Sequence, residues 1–130
     1  NAGHEPPLVV RVPEHRAPCL PDVDELSIGG MVAGVDPSQR YQVGSVDLRP
    51  GDVLMAYTDG LSEAMNFQMK RFGRQRVRES LLNLLAARPE AGAQEIAAQM
   101  LWEMRRYVGL QTQSDDVTIV VARAGVTNTT

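Results

Sequence analysis

Residues Val53-Leu54-Met55-Ala56-Tyr57 form a nearly unbroken apolar run that halts abruptly at Thr58-Asp59-Gly60. Five consecutive apolar residues behind a turn suit a strand covered on both faces better than an alternating surface strand. A turn precedes the run at Arg49-Pro50-Gly51-Asp52, with proline in its favoured early position. A second short β-branched run, Val117 to Ala122, begins just after Asp115-Asp116, and a third spans Leu8 to Val12. The loose alternation of Tyr41, Val43, Val46 and Leu48 predicts a further strand over 41–48, irregular near Gly44.

Helical periodicity appears in two blocks. Val77, Leu81, Leu84 and Leu85 share one face of a helix over 74–87, which Pro89 ends. Ile96, Ala97, Met100, Leu101, Met104, Tyr107 and Val108 follow a 3.6-residue period over 93–108, with Gly109 as the stop. A single helical turn is expected over 61–65. Pro13 to Pro21 and the glycine-containing stretch from Leu26 to Pro37 read as loop, and the tail from Gly125 to Thr130 as frayed. Strands and helices fall in separate groups, which predicts an α+β fold with a mainly antiparallel sheet and a helical hairpin over one face.

The 130 residues fit one domain. Aromatic residues make up 5%, so the core must come from aliphatic side chains and methionine. The net charge is −3, and no basic stripe interleaved with aromatics argues for nucleic acid. No apolar run approaches the ~20 residues that cross a bilayer, and no signal peptide opens the sequence. Cys19 is the sole cysteine, which fits a reducing, cytoplasmic setting and an inert side chain.

If the runs 53–58 and 117–122 pair antiparallel, the end of one lies beside the start of the other. Asp59, Asp115 and Asp116 then gather at one edge. Such carboxylates repel one another unless a cation relieves them, and oxygen-only ligands point to Mg²⁺ or Mn²⁺. Gly60 lets the backbone turn tightly there. Asp-Gly and Asp-Asp are equally ordinary turn chemistry, and the two readings stand side by side at this level.

Several pieces together resemble the PPM family of metal-dependent phosphatases in its bacterial SpoIIE/RsbU branch. They are Asn1-Ala2-Gly3-His4, the run Gly30 to Val35, Leu48-Arg49-Pro50-Gly51-Asp52, Tyr57 through Ala64, Phe72-Gly73 and Asp115-Asp116-Val117-Thr118. The resemblance implies a β-sandwich flanked by helices with two metal ions, Mn²⁺ or Mg²⁺, at one edge. It also implies hydrolysis of phosphoserine or phosphothreonine by a metal-bound water. By position, Asp59 and Asp115 match metal ligands and Asp116 an outer residue that holds a water or orients its neighbour, while Gly60 is structural. His4 stands as a candidate phosphate contact beside a packing role.

The family's upstream Asp-x-x-Gly-His-Gly motif and early strands are missing, so 1–130 is expected to be the C-terminal portion of the domain, with weak or no activity alone. The implied partner is a phosphorylated regulatory protein, typically an anti-sigma-factor antagonist. A bare sheet edge is expected to pair with another copy or with a missing N-terminal piece. The basic residues Lys70, Arg71, Arg74, Arg76 and Arg78 are read as a solvated helix face or an acidic-substrate surface, and Glu63 as a helix cap. The alternative function is a degenerate module that binds a signalling partner without turnover.

Overall fold

The computed structural model describes residues 1–125; the expected frayed tail lies, from residue 126 on, outside them. Four strands, β1 (Leu8–Val10), β2 (Val23–Glu25), β3 (Val53–Tyr57) and β4 (Ile119–Arg123), form one sheet in the order β2-β1-β3-β4, each pair antiparallel. Between β3 and β4 lie a one-turn helix α1 (Asp59–Ser62) and the longer α2 (Gly73–Ala87) and α3 (Ala93–Val108). This is the α+β architecture that the grouping of periodicities predicts.

Helices α2 and α3 cover one sheet face because their apolar stripes match it. Val77, Leu81 and Leu85 of α2, and Ile96, Met100 and Met104 of α3, are buried in one cluster with Leu8, Val10, Val53, Met55 and Tyr57. Each such buried aliphatic side chain contributes roughly 1.5–3 kcal/mol. Gly109 ends α3 with φ 65°, a left-handed conformation that glycine adopts without penalty, and its N–H donates to the Arg105 carbonyl.

Two expectations need correction, and one strand carried no sequence signal. Residues 41–48 form no strand: Val43 is 94% exposed, and Tyr41 and Leu48 also face solvent, so the alternation has no core to bury against. Strand β2 went unpredicted because Val23-Asp24-Glu25 carries the charge of an edge strand rather than an apolar pattern. Strand β3 is covered on one face only. Val53, Met55 and Tyr57 are buried, whereas Leu54 and Ala56 are half-buried on the opposite face, beside the exposed Ala122 and Val120 of β4.

The turn before β3 is held by a buried charge. Gly51 has φ 91° and the Asp52 N–H donates to the Arg49 carbonyl, the type II geometry that needs glycine at its third position. The Asp52 carboxylate accepts from Arg11 Nη1 at 2.6 Å, the Arg49 N–H at 2.9 Å and the Val12 N–H at 3.3 Å, tying β1 to β3. Burial alone pushes this carboxyl up, but the Arg49 N–H, the Arg11 guanidinium and the Val12 N–H outweigh it and hold it below the usual carboxylate range. A depressed folded-state pKa stabilises fully above the unfolded value near ~4, and that stabilisation is lost as pH falls through the lower folded value. Asp52→Asn is therefore expected to cost about 1–2 kcal/mol at pH 7. The difference from wild type should shrink as pH falls through that lowered folded value, measured by urea unfolding at neutral pH and along an acid series.

Candidate functional site

The β3–β4 register runs from Val53↔Arg123 to Tyr57↔Ile119. The pairing continues one step beyond the strands: the Thr58 N–H donates to the Thr118 carbonyl at 3.0 Å. The Thr58 hydroxyl accepts from the Thr118 N–H at 2.9 Å and donates to the Asp116 carbonyl at 3.3 Å. One threonine thus clasps the closing turn with both its donor and its acceptor capacity. Beyond it Gly60 sits so close to the same carbonyl that a Cβ would lie 2.1 Å from the Asp116 oxygen. The two acidic turns therefore meet at the level of the main chain.

Their carboxylates are all exposed to solvent. Asp59 opens α1, and Asp115 Oδ1 accepts the Asp116 N–H at 2.7 Å. Among the described residues no group of three or more His, Cys, Asp or Glu side chains forms a metal-holding cluster. The three carboxylates do not form the gathered group that the strand pairing alone suggests, and each faces solvent. The donor chemistry, carboxylate oxygen, fits a hard divalent cation, and the donor number fits only part of its shell.

His4 lies apart from direct contact with these turns. Its N–H donates to Asn1 Oδ1 at 2.9 Å, its Nδ1 lies 2.9 Å from the Glu5 carbonyl, and the ring is exposed. The next residue makes the connection instead. Glu5 Oε1 accepts from the Ser62 hydroxyl of α1 at 3.1 Å, and Glu5 Oε2 lies 2.7 Å from Arg74 Nε of α2. The neighbouring Tyr57 hydroxyl is pushed up to about 12, first by burial and then by the negative charge of Glu5. Glu5, Ser62 and Arg74 were not singled out from sequence as an assembly. Glu5 and Ser62 lie 57 residues apart; Ser62 falls within the Tyr57–Ala64 motif, whereas Glu5 only follows the Asn1–His4 motif.

The basic cluster is largely committed to the protein itself. Arg71 pairs with Glu63 at 3.0 Å, Arg74 with Glu5, and Arg78 with Glu25. Arg76 lies over the Tyr107 ring at 4.7 Å and donates to the Phe72 carbonyl. Tyr107 in turn meets Phe72 edge-on at 5.4 Å between centroids, anchoring the segment after α1 to α3. Glu63 caps α1 through its main chain, donating its N–H to the Asp59 carbonyl at 2.8 Å.

The two acidic turns are clasped at one end of the β3–β4 pair, and the antiparallel sheet beneath a helical hairpin that carries them matches the fold of PP2C-type phosphatase domains. The family model for Stage II sporulation protein E (SpoIIE) matches residues 1–125, and the chain belongs to that family. It is a phosphatase-like module of the PPM type. It is 30% identical over 122 residues to Protein IcfG of Synechocystis, a match covering 92% of this chain and 17% of that protein. The SiaA PP2C domain of Pseudomonas aeruginosa aligns at TM-score 0.67 and 25% identity, over 94% of this chain and 44% of that one. The PP2C phosphatase domain with a regulatory fragment of Bacillus subtilis SpoIIE aligns at TM-score 0.68 and 22% identity, over 95% and 32%. A manganese-presoaked structure of the same Bacillus domain aligns at TM-score 0.62 and 22% identity, over 95% and 48%. The chain thus spans less than half the length of each of these relatives. Among the described residues, no helix is long and apolar enough to cross a membrane.

Proposed function

We propose that this chain is the C-terminal portion of a SpoIIE-type phosphatase domain and supplies part of a Mn²⁺ or Mg²⁺ site that hydrolyses phosphoserine or phosphothreonine on a regulatory protein. The observation that carries this reading is the clasp between the Thr58–Gly60 turn and the Asp115–Thr118 turn. Asp59 and Asp115 would hold the cation, and Asp116 would orient a water or its neighbour. When bound, the cation supplies an activated water and neutralises charge on the phosphoryl group. Thr58 keeps the two turns in register, and Gly60 permits their close approach. His4 is the candidate phosphate contact. The manganese presoak of the related Bacillus domain supports the choice of ion.

The half-buried apolar face of β3 and β4, with Val120 61% exposed, supports an upstream part of the domain, or a second copy, packing against it. The partner would be a phosphorylated regulatory protein such as an anti-sigma-factor antagonist, in the cytoplasm. A second reading, a binding module without turnover, draws on the absence of a three-ligand group among the described residues.

Turnover of a phosphoserine peptide with Mn²⁺, assayed for residues 1–130 and for the whole gene product, separates these readings. Mn²⁺-dependent activity in the whole product, with less than about a hundredth of it in 1–130 alone, is the expected result. Equal activity in both would overturn the partial-site claim. Mn²⁺ binding without turnover in the whole product would favour the binding module.

A further inference from the structure

Resting on that phosphatase reading, we propose that Glu5, Ser62 and Arg74 form a strut that positions Asp59 for the cation. Helix α1 is one turn of four residues, too short to keep its shape without tertiary support. Leu61 anchors it in the core, and Gly60 seats it against the Asp116 carbonyl. The remaining hold is polar. The Ser62 hydroxyl donates to Glu5 Oε1 at 3.1 Å and lies 3.3 Å from the Asp59 carbonyl oxygen, so this bond acts on the same helical turn that carries Asp59.

Glu5 is braced from its other side. Its side chain is only 13% exposed, and Arg74 Nε stands 2.7 Å from Oε2. That buried oxygen has no well-directed hydrogen bond, so the Arg74 charge is what compensates it. The strut therefore joins three segments: the one before β1, α1, and the first turn of α2. One helical turn further on, Arg78 makes a similar ion pair with Glu25 at the end of β2. That pair ties α2 to the sheet without touching α1, which makes it an internal control.

Calorimetric titration of Mn²⁺ into the whole gene product tests the proposal. Ser62→Ala and Arg74→Ala are each expected to weaken Mn²⁺ binding about 3- to 10-fold, less than the ~10–100-fold typical of groups that touch a ligand directly. Ser62→Thr, which keeps the hydroxyl, should restore most of the loss. Arg78→Ala should leave the affinity within about twofold of wild type, since its ion pair is partly exposed and makes no hydrogen bond to α1. Amide hydrogen exchange provides a second readout, with faster exchange across α1 in Ser62→Ala and Arg74→Ala only. Unchanged affinity in both strut variants would overturn the proposal, as would an equal loss in Arg78→Ala, which would mark a general structural effect. A wild-type protein that binds no Mn²⁺ would remove the phosphatase reading itself and the strut with it, an outcome distinct from the other two.

Discussion

Asp59→Asn is expected to lower Mn²⁺-dependent turnover of the whole gene product at least ~100-fold, equivalent to about 2.7 kcal/mol, while leaving the fold intact. Asparagine keeps the shape of the side chain and removes the charge on which a hard cation depends. Asp59 is exposed at the first position of α1, and neither of its carboxylate oxygens serves a described side-chain hydrogen bond. Unfolding free energy should therefore change by no more than about 0.5 kcal/mol. Turnover with a phosphoserine peptide, Mn²⁺ affinity by calorimetry and urea unfolding measured on one preparation would separate these effects. A variant that retained wild-type Mn²⁺ affinity and turnover would remove Asp59 from the site.

Gly60→Ala is expected to destabilise the protein by about 3 kcal/mol, toward the upper end of the range for overpacking. The added methyl would stand 2.1 Å from the Asp116 oxygen and 2.9 Å from its carbonyl carbon. Both atoms are main chain and cannot rotate away, so either α1 or the segment leading into β4 must shift. The shift would strain the Thr58–Thr118 bonds that join the two acidic turns, and Mn²⁺ binding should weaken together with stability. Gly92→Ala provides the comparison: Gly92 precedes α3 with φ −73° and has open space where its Cβ would be. It should cost no more than a few tenths of a kcal/mol, as expected for glycine and alanine at a position with ordinary φ. If urea denaturation found Gly60→Ala as stable as Gly92→Ala, the close apposition of the turns would be wrong.

The long helices were readable because their signal is local and dense. Ile96, Met100, Met104 and Val108 recur on one face of α3, and all four are buried. Strand β3 was readable from its apolar run and its Pro-Gly turn. Where the pattern was thin the reading failed: Tyr41, Val43 and Leu48 alternate without a face to bury, and β2 offers only Val23 between a turn and two acids. At the candidate site, the sequence pointed to two acidic turns and to the strands that would bring them together. It did not indicate that Asp115 would accept the N–H of its own neighbour, Asp116. Nor did it reveal that the arginines after α1 would be used up by Glu63, Glu5, Glu25 and Tyr107.

Element types and the family motifs were therefore written in the chain, since periodicity and turn chemistry depend on neighbours a few residues away. Which distant groups meet was settled by folding. Glu5 reaches Ser62, Asp52 reaches Arg11 and Gly60 slides beneath Asp116 because one sheet register and one helix placement bring them within ångströms of each other. Contacts of that kind depend on a geometry built by the whole core, and no short stretch of sequence encodes them.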